Sequence, residues 1–351
     1  VILDLALVVA TAFAASLVVC LAMIWIGPVD APNEDRKAHR APTPTSGGIG
    51  IGAGYGVGMI VLSLFSIEWR HEVSPQGVAM LWVSALFAYP LLLVGFVDDA
   101  RRLSAEFKFA VYSVLALAAA WLMGVVIEFR VGDFVLELPF IVGLIGTALW
   151  VFTLINVVNF MDGANGMAMG SVAVGLVALS VIALEGNSIG GGAISLCGAG
   201  ALAGFLIWNF PSGRLFAGDS GALFAGSLAA FGCLIVIART GMSPMIAPIL
   251  FFPLLADALL TLLYRVRRGR SLLVGHTEHI YQIALRAGWS HARISLVYWF
   301  TMAACGAVGW WASQDETNVA PAACLAVLIV CAIALDVTVR RQAEGAGILK
   351  R

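Results

Sequence analysis

Asp98 and Asp99 stand side by side directly after the apolar run LLLVGFV, and Asp162 and Asp219 border apolar runs of their own. Paired carboxylates beside a low-dielectric medium repel each other and are expensive without a cation. Arg101 and Arg102 can neutralise the first pair, and so can a divalent metal. Asn156, Asn159 and Asp162 step by three, so on a helix they drift slowly round one face. Gly163 and Gly166 then let the backbone turn or come close to a ligand. A basic loop carries Arg270, His276 and His279. The H-x-x-H step lacks a third ligand at zinc spacing, whereas arginine's planar fork suits phosphoryl oxygens; Glu278 opposes that role locally. Magnesium takes oxygen ligands and commonly bridges a carboxylate to substrate phosphates. Phosphoryl transfer in turn asks mainly for positioning and charge neutralisation. Each cluster also has a plain structural reading: a solvated helix end for Asp98–Asp99, a helix cap for Asp219, and polar inter-helix contacts for 156–165.

The elements that must position these groups cross a membrane. Of 351 residues, 61% are hydrophobic and 12% charged, against about 25% charged in soluble domains. The expected fold is an all-α polytopic membrane protein with about eleven spans: 2–27, 47–66, 77–97, 107–127, 139–158, 167–184, 191–208, 219–238, 244–264, 293–312 and 319–339. The first run lacks a basic leader and a small-residue cleavage site, so it reads as a span. Seventeen of the 20 lysines and arginines, among them Arg36, Lys37, Arg40, Lys108, Arg214, Lys350 and Arg351, fall in one set of loops; only Arg70, Arg130 and Arg239 fall in the other. The bias puts the N-terminus outside and the C-terminus in the cytoplasm, and all four polar clusters then face the cytoplasm. A site there, open also to lipid, lets a soluble nucleotide meet a lipid phosphate. Residues 127–138 alternate as a small outer hairpin, and 278–288 as a short amphipathic helix along the interface. Cys20, Cys197, Cys233, Cys305, Cys324 and Cys331 read as small buried hydrophobes. One transmembrane catalytic domain covers 1–339, with the basic and histidine loop at 265–292, and a cytoplasmic tail at 340–351.

Five segments, in order, resemble the polyprenyl-phosphate N-acetylhexosamine-1-phosphate transferase family: RKAHRAPTPTSGG (36–48), GFVDDARRLSAEFK (95–108), NVVNFMDGANG (156–166), NFPSGRLFAGDSG (209–221) and HTEHIYQ (276–282). The resemblance implies transfer of a sugar-1-phosphate from a UDP-N-acetyl sugar to undecaprenyl phosphate, with release of UMP. It implies magnesium, with manganese as an alternative, a multi-pass location in the bacterial inner membrane, and a homodimer; no nucleic-acid partner is expected. By the same resemblance, Asp219 holds the metal, Asp98 and Asp99 form an essential pair, and Asp98 orients or deprotonates the lipid phosphate. Asp99 and Asp162 join Asp219 as metal ligands, and Lys108 lies near the phosphates. Asn156, Asn159, Asp162, Asn165, Asn209, Phe216, Arg270, His276, His279 and His39 contribute nucleotide or phosphate contacts, with Phe216 suited to stack on uracil.

Asn165 departs from the family pattern, since many members carry a second aspartate there. The histidine loop is similar to that of the branch that initiates O-antigen or exopolysaccharide chains, which implies an N-acetylated hexosamine or deoxyhexosamine. The rival reading is a transporter or lipid flippase built on intramembrane carboxylates. It expects polar groups near the midplane or on both faces, whereas here they crowd one edge. A purely structural membrane subunit leaves the four aspartates without a task.

Overall fold

A computed structural model describes residues 2–30, 42–65, 75–271 and 275–349, and among them ten helices are long and apolar enough to cross a membrane. In chain order come α1 (Ile2–Ile26), the strand pair β1 (Val29–Asp30) and β2 (Thr43–Pro44), α2 (Gly47–Phe65), α3 (Pro75–Arg101) and α4 (Ala105–Met123). An antiparallel hairpin, β3 (Glu128–Val131) and β4 (Phe134–Glu137), follows where alternation predicts it. Then come α5 (Phe140–Met161), α6 (Met167–Glu185), α7 (Ile189–Asn209), α8 (Gly218–Thr240), α9 (Ile246–Leu250), α10 (Phe252–Arg267), α11 (Ile280–Arg286), α12 (His291–Ser313) and α13 (Val319–Gly345). His39, with Arg36, Lys37, Arg40, Arg70, Lys350 and Arg351, lies outside the described residues.

The span expected at 244–264 differs from the rest. It is broken at Phe251 into the five-residue α9 and the 16-residue α10. Pro253 near the start of α10 has no N–H to extend a helix arriving from α9. Alone, α10 reaches about 24 Å, short of a hydrocarbon core of about 30 Å. It also carries Asp257, a fully buried carboxylate.

Helix α8 is the axis of the bundle: every residue from Ser220 to Val236 is buried. Around it pack α2, α3, α5, α6 and α7, while α1, α12 and α13 lie outside these. Outer helices expose large apolar side chains such as Trp25, Phe300 and Val330, which suits a hydrocarbon surround. The glycines of α2 serve close packing: a Cβ on Gly54 would sit 2.6 Å from Ser16 of α1. The cysteines are all free; Cys331 is exposed on α13 and Cys324 is half-buried, so the expectation of burial fails on that outer helix. Helix α13 also runs past 339, and Arg340 and Ala343 in its last turns are buried.

Candidate active site

The N-terminus of α8 is where separate polar stretches meet. A Cβ on Gly95 of α3 would come within 2.5 Å of the Ser220 nitrogen, so glycine there lets α3 lie directly on the first turn of α8. Asp99, one turn further along α3, accepts from the Asp219 N–H at 2.9 Å and from the Ser220 N–H and hydroxyl at 3.3 and 3.2 Å. A carboxylate there satisfies N–H groups without intrahelical partners and meets the positive end of the helix dipole. Asp99 therefore caps α8 from a neighbouring helix, and the capping role open to Asp219 falls to it. Gly218 makes room for this: its φ is +69°, and a Cβ would collide with the Asp99 carboxylate.

Asp98 points to the other side. Its Oδ2 lies 2.6 Å from Lys108 Nζ, and its Oδ1 accepts the Leu103 N–H at 2.6 Å. Ser104 accepts the Phe107 N–H at 3.2 Å and starts α4, which sets the position of Lys108. Lys108 is also 3.9 Å from Asp219 Oδ2, and Asp219 Oδ1 accepts from Asn159 Nδ2 at 3.0 Å. Asp98 and Asp219 themselves come within hydrogen-bond reach. Like charges about 4 Å apart repel by about 4 kcal/mol at an effective dielectric of about 20. One lysine serves both, so the cluster carries excess negative charge that a cation would relieve. Tyr112, buried one turn beyond Lys108, lies close enough to feel the charges of Asp98, Asp99 and Asp219. Its i, i+4 spacing from Lys108 was the available signal, and sequence reasoning passed over it.

The 156–166 stretch divides. Asn159 joins the carboxylates, whereas Asn156 donates to the Phe152 carbonyl of its own helix at 2.7 Å. Asp162 ends α5 half-buried; burial, with a smaller push from the Asp99 charge, raises its carboxyl to about 7. Asn165 is a docking residue: its Nδ2 donates to the Pro211 carbonyl at 3.1 Å, its N–H to His291 Nδ1 at 3.1 Å, and its carbonyl accepts from Ser295 at 2.6 Å. Asn209 is buried with both ends of its amide on main chain, accepting from the Gly166 N–H and donating to the Leu215 carbonyl at 2.8 Å. It ties the 162–166 turn to the 210–217 loop. The main chain of Phe216, a half-buried residue, bonds to Pro44 and Gly47, fastening that loop to the start of α2.

The histidine loop approaches from the other flank. Tyr281 is buried, donates to the Phe160 carbonyl at 3.3 Å, and fills the space that a Cβ on Gly163 would need. His276 and His279 face each other with ring centres 4.9 Å apart. Burial, then the neighbouring His279 charge, lowers His276 to about 4, so at neutral pH it offers hydrogen bonds without charge. Arg270 is not left for phosphate. It pairs with Glu278, which also holds Arg265. Beneath the loop, Asp257 accepts from the Ile280 N–H at 2.8 Å, the Tyr281 N–H at 3.3 Å, the Tyr298 hydroxyl at 2.5 Å and the Thr261 hydroxyl at 3.2 Å. His279 Nδ1 is 3.5 Å away. An aspartate inside an apolar run was the signal for this residue, and it belongs to none of the five motifs.

Among the described residues, no group of three or more His, Cys, Asp or Glu side chains converges as a metal cage. The expected set Asp219, Asp99 and Asp162 is thus no closed site, and both Asp99 oxygens already serve α8. The oxygens that do meet, from Asp98 and Asp219 around Lys108, are hard donors beside uncompensated negative charge. That set fits magnesium, which needs only one or two carboxylates when substrate phosphates and water complete its shell.

The fold defines an all-α polytopic membrane protein. Residues 81–238, which contain α4, α5, α6, α7 and the carboxylate junction, match the model of glycosyl transferase family 4. A decaprenyl-phosphate N-acetylglucosaminephosphotransferase of Mycolicibacterium smegmatis is 29% identical over 352 residues, covering 92% of this chain and 85% of that protein. A probable undecaprenyl-phosphate N-acetylglucosaminyl 1-phosphate transferase of Bacillus subtilis is 27% identical, covering 78% and 74%. A phospho-N-acetylmuramoyl-pentapeptide-transferase of Moorella thermoacetica is 27% identical, covering 74% and 81%. At the level of the family, the chain matches the polyprenyl-phosphate N-acetylhexosamine-1-phosphate transferases.

Proposed function

We propose that the protein transfers a sugar-1-phosphate from a UDP-sugar to undecaprenyl phosphate at the cytoplasmic face of a bacterial inner membrane. An oxygen of the lipid phosphate bonds to the donor's β-phosphorus, the bond from that phosphorus to the bridging oxygen breaks, and UMP leaves with that oxygen. The observation that carries this reading is the meeting of Asp98, Lys108, Asn159 and Asp219, from α3, α4, α5 and α8, at helix ends on one side of the bundle. Charge gathered at helix ends suits a membrane-surface reaction better than the midplane site a transporter needs.

Asp98, braced by Lys108, lies beside the acceptor phosphate and takes its last proton where it carries one. Lys108 offsets phosphoryl charge as a point cation. Asp219 and Asp98, with Asp162 nearby, would hold magnesium, which when bound spreads the developing phosphoryl charge. Asp99 keeps Asp219 in place by capping α8. Asn156, Asn159, Phe216 and the His276–His279 pair border the donor. Relatives named for N-acetylglucosamine make that sugar the first donor to test, with N-acetylated deoxyhexosamines of O-antigen or exopolysaccharide initiation next.

Purified protein with magnesium, a polyprenyl phosphate and a panel of UDP-N-acetyl sugars should release UMP with at least one donor. No release from any donor, with intact undecaprenyl and decaprenyl acceptors and folded protein, sinks the proposal.

A further inference from the structure

The last helix, α13, exposes most of its surface, yet its final turns hold a buried arginine. Arg340 Nε donates to Asp336 at 2.8 Å, Nη1 to the Glu278 carbonyl at 3.0 Å, and Nη2 to the Thr261 hydroxyl at 2.8 Å. Its guanidinium also stacks 4.3 Å from the centre of the Tyr264 ring. One planar group thus joins α13, α10 and the histidine loop, with each contact made by a different edge or face. The relay continues inward: Thr261 donates to Asp257, and Asp257 receives the first N–H groups of α11 and faces His279. A small apolar contact of Ile283 with Ala343 and Leu349 closes the same seam from outside.

We propose that Arg340 is a positioning residue, and that the cytoplasmic end of α13 is a clamp fixing the histidine loop against the carboxylate cluster. The role rests on the transferase reading for its consequence, but not for its geometry. Glu278 between Arg265 and Arg270 fixes one side of the loop, and Arg340 fixes the other through the Glu278 main chain. This buried guanidinium, bonded through all three of its nitrogens, lies over 60 residues along the chain from the loop, on a helix whose buried residues are few. Lysine cannot replace it: a single ammonium does not reach three acceptors set around a plane.

The test uses the full chain in lipid nanodiscs, wild type beside Arg340→Met and Arg340→Lys. Hydrogen–deuterium exchange should speed up at residues 278–286 by about tenfold or more in Arg340→Met, less in Arg340→Lys, with residues 95–99 and 217–221 unchanged. UMP release by Arg340→Met should fall about tenfold in kcat, with KM for the polyprenyl phosphate unmoved and partial recovery in Arg340→Lys. Exchange that is unchanged at 278–286, or raised equally across the bundle, overturns the clamp. Faster exchange at the loop with wild-type turnover overturns the positioning role. Local loosening in a protein whose wild type releases no UMP leaves the clamp standing and sinks the transferase reading instead. If Arg340→Met does not fold, Thr261→Val, which removes the acceptor within the bundle, must show the same local exchange pattern.

Discussion

Two aspartates, Asp99 and Asp257, do the same structural task in different surroundings. Each reaches from one helix to the N-terminus of another, Asp99 to α8 and Asp257 to α11, and accepts two successive backbone N–H groups there. Around Asp257 the account is balanced: two hydroxyls, two N–H groups and an imidazole surround one buried carboxylate. Arg340, Asp336, Arg265, Arg270 and Glu278 then pair among themselves. Around Asp99 it is not balanced. Asp98 and Asp219 crowd one lysine, and Asp162, which feels the Asp99 charge, has its carboxyl raised to about 7 mainly by burial. A polar network satisfied throughout rigidifies a fold, whereas one left with excess charge is kept for something that binds. The difference separates the part that holds from the part proposed to react.

Asp219→Asn tests the reactive side most severely. It keeps the shape and an acceptor for Asn159 while removing one charge from the cluster. Turnover should fall by roughly 10²–10³, read as UMP release at saturating donor. Thermal stability without magnesium should stay level or rise, because a repulsion is relieved. A large fall in stability would place Asp219 with the scaffold and erase the distinction. Magnesium should also raise the melting temperature of the wild type more than that of the variant, since only a ligand of the folded state stabilises it.

Asp257→Ala should do the reverse. It strands the Tyr298 and Thr261 hydroxyls and the first N–H groups of α11 in a buried site, a loss of roughly 3 kcal/mol or more. Denaturant unfolding of the detergent-solubilised protein should show it, and whatever fraction remains folded should keep measurable turnover. Stability within about 0.5 kcal/mol of wild type, the range of ordinary surface substitutions, would mean that the balanced network is not what holds the loop.

Much of this was legible in residue order alone. Apolar runs marked ten spanning helices, alternation marked the β3–β4 hairpin, and the motifs brought Asp98, Lys108, Asn159 and Asp219 into one cluster. Asn209 and Arg270 show why the rest was not. Their residue types suit ligands, but partners far along the chain or across a loop occupy them: the Gly166 N–H donates to the Asn209 oxygen, and Glu278 accepts from Arg270. Such pairings depend on how helices pack, which periodicity does not encode. The break between α9 and α10 was not legible for a local reason: hydropathy counts apolar residues and is blind to the helix break before Pro253. Asp257, like Tyr112, was overlooked despite a signal, in its case a carboxylate in an apolar run.

The smallest expected effect belongs to His276, at the boundary between the two regions. Its folded pKa is lowered to about 4, mainly by burial and then by His279, with Arg265 and Arg340 pushing down and Glu278 pushing up; an unfolded histidine titrates near 6.5. A depressed pKa means that the unfolded chain binds the proton more readily. The stability linked to His276 is therefore complete above pH 6.5, and is lost as pH falls from there towards 4. Thermal unfolding between pH 7 and pH 4.5 should show a decline that is shallower in His276→Gln, with the two proteins parallel above pH 7. Equal slopes would mean that the imidazole is already solvated and belongs, with the carboxylates, to the side of the molecule that stays open.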